Sequence, residues 1–151
     1  MYLRRAALVL AAAIAAVAAV GVLPATAAPA TSHPVSCAQG HANTREGQTP
    51  VWVCEQLFSS GRELISSQGW MYERGDGFPV PNVHIELVYP NGHLIKNCRA
   101  TTLRGGGSIP RCEWSPHSTR VPHGRYCGIG WFESLPGRYD KIAEACVRFN
   151  G

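Results

Sequence analysis

The sequence predicts an all-β fold: an antiparallel β-sandwich of immunoglobulin-like architecture, stapled by three disulfides. Three observations point there. Apolar and polar residues alternate with the two-residue period of half-buried strands in several short runs. Between these runs 16 Gly and 11 Pro are spread as turn punctuation. Six Cys, all after residue 36, follow a segment with the marks of an export signal, so the thiols meet an oxidising compartment and pair. There is no internal repeat and no long helical periodicity, which favours short strands packed as two sheets.

Taken in order, residues 1–27 read as a secretory signal peptide. Arg4 and Arg5 form the positive start, an Ala-rich apolar run extends from Ala6 to Leu23, and Ala25-Thr26-Ala27 supplies small residues for cleavage. The run is Ala-rich rather than Leu-rich and lacks a positive stop-transfer cluster, so no stable membrane anchor is expected. Residues 28–36, rich in Pro, Ala, Thr and Ser, read as a flexible tail before a single disulfide-bonded β domain over 37–151. From Val51 to Ser67 helix and strand patterns compete. Gly61 weakens the helix, which favours strand, turn, strand, with Trp70 and Tyr72 on the next strand.

Two hairpins are better defined. Val83, Ile85, Leu87 and Tyr89 alternate with His84, Glu86 and Val88, then Pro90-Asn91-Gly92 turns the chain into an antiparallel run from His93 to Thr102. Near the C-terminus, Cys127 to Phe132 forms one strand, Leu135-Pro136-Gly137-Arg138 the turn, and Tyr139 to Phe149 the return. Pairing Ser134 with Tyr139 makes every opposed pair sum to 273, as do Cys127 and Cys146. That register brings the two cysteines to the Cα separation a disulfide needs. The spacings of the rest favour 37–54 and 98–112, with the connectivity of Cys37, Cys54, Cys98 and Cys112 open among alternatives.

Charge narrows the partners. Losing Arg4 and Arg5 with the leader lowers the net charge from +4 to +2, too balanced for nucleic-acid binding. Among basic residues only Lys96 and Lys141 are not Arg, a bias that suggests a bacterial source.

The residues point to a secreted, non-enzymatic binding protein whose partner is an extracellular protein or a polysaccharide. Trp114, in the loop-like Glu113-Trp114-Ser115-Pro116, is the tryptophan expected at a contact surface, whereas Trp131, beside Gly128 and Gly130, is expected in the core. A Cys98–Cys112 bridge would make Arg104-Gly-Gly-Gly-Ser108 and Arg111 a constrained, exposed hairpin tip. Arg104 or Arg111 would then suit a trypsin-like pocket, so protease inhibition is one alternative. A small hydrolase is the other: His84 and Glu86 share a strand face, with His93, His117 and His123 elsewhere, but no signature joins them and no catalytic residue is assigned. Arg74-Gly75-Asp76 matches a receptor-binding tripeptide in a turn. Cofactors and metals are not expected. A site from Cys112, His117, His123 and Cys127 is disfavoured by oxidation, and copper held by an N-terminal His33 would need cleavage after Ser32.

Overall fold

The computed structural model describes residues 30–75, 77–99, 102–117 and 120–151. The expected signal peptide and Asp76 of the Arg-Gly-Asp tripeptide lie outside the described residues. Nine strands follow one another without a described helix: β1 (Thr31–Ser32), β2 (Val35–Asn43), β3 (Gln48–Ser60), β4 (Glu63–Tyr72), β5 (His84–Val88), β6 (Leu94–Arg99), β7 (Cys112–Trp114), β8 (Gly124–Leu135) and β9 (Arg138–Phe149). They form two antiparallel sheets. In the first, β1 and β2 both pair with β3, which continues to β4 and β7; the second runs β6-β5-β8-β9. β2 and β3 pack against β9, and β4 against β5 and β8, so the molecule is a sandwich of two sheets.

The strands form where alternation and turns dictated. Gly61, at φ 57°, closes the β3–β4 hairpin in a conformation that favours glycine. Trp70 and Tyr72 continue β4 rather than starting a new strand. Part of the segment expected as a tail is in strand: Thr31 and Ser32 pair with Ser60 and Ser59, and Val35 and Ser36 already belong to β2. On β5, Ile85 and Leu87 point inward and, with Val83 just before it, are fully buried, while His84 and Glu86 point outward.

All three disulfides form as paired above. Cys37–Cys54 and Cys127–Cys146 join directly opposed residues within one sheet, each with Cα atoms 4.1 Å apart. Cys98–Cys112 joins β6 of the second sheet to β7 of the first, Cα to Cα 5.6 Å. The segment between them is therefore a crossing between sheets and not a hairpin. Leu103 and Ile109 are buried along it, with backbone bonds tying Leu103 to Val80 and Ile109 to Met71.

The C-terminal hairpin is tighter than expected. Leu135 opposes Arg138 across a two-residue Pro136-Gly137 turn, and Glu133, not Ser134, opposes Tyr139. Ser134 bulges from β8 and Ile142 from β9, so the register slips by one and returns before the cysteines. Inward positions on β8 are Tyr126, Gly128, Gly130 and Phe132. Trp131 thus faces outward, half-buried, contrary to its expected place in the core. Its glycine neighbours lie on the opposite face, where a Cβ on Gly130 would meet Met71 and Val53 at 2.5 Å.

One inward side chain is charged by type. Glu55 is fully buried between the sheets, next to Gly69 and Gly128. The Ser67 hydroxyl donates to its Oε1 at 2.5 Å, and Oε2 has no partner. Burial pushes this carboxyl up to about 8, against the smaller opposing pull of the Ser67 hydrogen bond.

Candidate functional site

The outer face of the second sheet carries a hollow of about 720 Å³, within the range of small-ligand sites. Strand register assembles it. His84 opposes Arg99 on β6 and Trp131 on β8, giving one row across three strands; Glu86 opposes Asn97 in the next row. Tyr139 enters from the start of β9, and Asn82 and Val83 close the end before β5.

Glu86 organises the floor. Its Oε2 accepts the Trp131 indole N–H at 2.9 Å, and its Oε1 accepts the Asn97 amide at 3.3 Å. The His84 ring lies near parallel to Trp131 (14°, centroids 6.4 Å apart) and meets Tyr139 edge-on at 4.7 Å. His84 Nε2 is 3.9 Å from Glu86 Oε1. Desolvation holds the imidazole below its usual pKa; Glu86 pulls it upward, and Arg99 adds to the lowering. A neutral imidazole presents one donor and one acceptor, which suits a ligand bearing hydroxyl groups.

Among the described residues lining the hollow, Glu86 is the single carboxylate, and it already holds two donors.

The binding residues expected from sequence, Trp114, Arg104 and Arg111, do not line this hollow. Trp114 is half-buried on β7, packs against both apolar clusters of the core and meets Tyr89 edge-on at 5.5 Å. It also borders a separate hollow of about 490 Å³ with Tyr89, His93 and His117. Arg111 lies 4.7 Å over the Trp70 ring and donates to Gln68 at 3.0 Å, on the outer face of the first sheet. Arg104 is exposed at a tight turn closed by the Gly107 N–H to its carbonyl at 2.8 Å. That turn is pinned by Glu73, whose carboxylate accepts from the backbone N–H groups of Gly75 (2.8 Å), Gly77 (3.1 Å) and Gly106 (2.6 Å). Cys112 and Cys127 are both in disulfides, which removes the thiolates a metal site with His117 and His123 would need. The grouping of Cys127, Cys146 and Glu144 is likewise a bridge beside a carboxylate.

Of the hollow, sequence reading found His84 and Glu86 on one face but not Asn97, Arg99, Trp131 or Tyr139. The signal was partial. Continuing the Tyr89–His93 turn as a ladder would oppose Glu86 to Lys96 and His84 to Cys98; a bulge at Ile95 shifts the register by one and brings Asn97 and Arg99 opposite them instead, whereas counting by twos from inward Gly130 turns Trp131 outward. The chain matches no protein-family model, no curated protein and no solved structure.

Proposed function

We propose that this chain is a secreted, non-catalytic binding module of immunoglobulin-like architecture that recognises a saccharide in the hollow centred on Glu86. The observation that carries the reading is the Trp131–Glu86–Asn97 arrangement beside His84 and Tyr139. Aromatic rings offer faces to the apolar side of a sugar ring. Fixed amide, carboxylate, guanidinium and imidazole groups around them offer partners to its hydroxyls.

Topology supports the immunoglobulin-like part. With β1 and β2 as an added edge, β3, β4 and β7 take the places of strands A, B and E, and β5, β8 and β9 those of C, F and G. Tyr126, early in β8, donates its hydroxyl to the Pro122 carbonyl four residues upstream at 2.8 Å, as the tyrosine of a tyrosine corner does. The inter-sheet bridge differs, since Cys98–Cys112 ties edge strands rather than the sheet centres. Three disulfides in a small β domain are typical of extracellular proteins, and with the leader-like residues 1–27 they support secretion, here from a bacterium.

The alternatives draw less support. Arg104 sits in a tight turn rather than the extended stretch a protease binds, and the Arg111 side chain is engaged by Trp70 and Gln68. The test is retention of the oxidised protein on insoluble cellulose, chitin, starch and peptidoglycan. Retention on at least one, abolished by Trp131→Ala or Glu86→Ala with the thermal midpoint unchanged, is the expected result. No retention on any of the four removes the reading.

A further inference from the structure

A second hollow, of about 450 Å³, lies where the β2–β3, β4–β5 and β8–β9 connections meet. It adjoins the first through two contacts. The side chain of Asn82, which lines the first hollow, donates to Glu133 Oε2, and Glu133 lines the second. Tyr139, also in the first hollow, opposes Glu133 across the β8–β9 ladder. The post between the hollows is fixed: Glu133 Oε1 also accepts the Gly137 N–H at 2.6 Å, the main reason its pKa falls below the ordinary carboxylate value. Asn82 is the one non-glycine among the described residues with positive φ, 46°. Asn tolerates this left-handed conformation, here in the turn that leads into β5.

The linings differ. The first hollow presents aromatic rings and hydrogen-bonding groups. The second presents the rings of Pro79, Pro81 and Pro136 and the exposed side chain of Leu135, alongside polar residues that include Arg45, Glu46 and Ser134. Aliphatic surface of this kind packs against the C–H face of a sugar ring and adds area without demanding directional bonds.

From this continuity we infer that the ligand is a saccharide chain rather than a single sugar: one unit occupies the Glu86 hollow and a following unit crosses the Asn82–Glu133 post onto the proline surface. The inference rests on the saccharide reading above and names the ligand's length and direction. Binding should therefore strengthen with chain length until both hollows are filled, because the second unit binds as part of an already docked molecule.

The experiment is calorimetric titration with cello-, chito- and malto-oligosaccharides and peptidoglycan glycan fragments of one to six units, using the oxidised parent protein, Leu135→Asp and Trp131→Ala. Leu135 is 51 % exposed, so its replacement leaves the fold intact, and thermal unfolding checks this. In one series, affinity is expected to rise by about tenfold or more from the shortest bound member to the longest. Leu135→Asp should bind that shortest member like the parent and lose the gain; Trp131→Ala should lose both. Affinity independent of length, or a length gain that survives in Leu135→Asp, overturns the inference while leaving the single-hollow reading standing. No binding of any member by the parent overturns both.

Discussion

Gly40 on β2 faces the carbonyl of Ile142 on β9 so closely that a Cβ at position 40 would lie 1.9 Å from its oxygen and 2.6 Å from its carbon. Both atoms are backbone, and Ile142 is the bulged residue of β9. The bulge brings the edge of one sheet against the edge of the other and so covers a seam that would expose unpaired strand edges. Gly40→Ala should destabilise the protein by about 3 kcal/mol, since neither strand can yield without losing its ladder. Thermal and denaturant unfolding of the oxidised protein measure this. A loss under about 0.5 kcal/mol would mean that the seam has room to give.

Glu55 gives a pH dependence with a definite sign. Its carboxyl is raised from 4.5 in the unfolded chain to about 8 in the native state, so the folded form holds a proton that the unfolded form releases. Stability from this group is complete below about pH 4.5 and is lost as pH climbs to about 8. Glu55→Gln keeps the shape and a donor toward Oε2's empty surroundings but cannot ionise. The variant should be more stable than the parent at pH 9 and have a flatter stability profile between pH 5 and 8, read by chemical unfolding at each pH. Parallel profiles for the two proteins would sink the idea.

These two features show where sequence stops. The pairing of Cys127 with Cys146 was legible because hairpin register is set by the turn, and Leu135–Arg138 belongs to the same register as the Ser134–Tyr139 pair expected. The bulges at Ser134 and Ile142 were not legible, yet they cancel before the cysteines. Period-two alternation also placed His84 and Glu86 on one face. It could not say that the 98–112 segment crosses between sheets, because that depends on which edges β6 and β7 join. Nor could it mark Glu55, whose neighbours Val53 and Leu57 set an inward pattern that a carboxylate breaks. Room for that carboxylate comes from Gly69 and Gly128, which are far from it in sequence.

Glu73 should control how readily the two arginine-bearing loops open. It is buried, and its carboxylate gathers N–H groups from both the 73–77 segment and the 104–107 turn. Glu73→Ala strands those donors, each costing about 1–3 kcal/mol where water cannot reach. Cleavage by trypsin after Arg74 and Arg104 should then become about tenfold faster than in the parent, followed by mass spectrometry of the nicked, still disulfide-bonded protein. Equal cleavage rates would show that the loops are held by something else.

The three disulfides should differ in what their loss releases more than in how much stability it costs. The pairs are separated by 14, 17 and 19 residues, so loop-closure entropy assigns each about 3 kcal/mol. Cys37–Cys54 and Cys127–Cys146 join strands that share long ladders, nine pairs between β2 and β3 and eleven between β8 and β9, so these ladders should persist without the bridge. Cys98–Cys112 instead joins two edge strands from different sheets, and β7 pairs with β4 over only three residues. Replacing Cys98 and Cys112 together by Ser should therefore raise backbone hydrogen exchange along β6 and β7 selectively. Replacing Cys37 and Cys54 should lower global stability by a similar amount and leave exchange at the β6–β7 seam tracking the rest of the core. Indistinguishable exchange patterns in the two variants would mean that sheet packing, not the bridge, holds that seam closed.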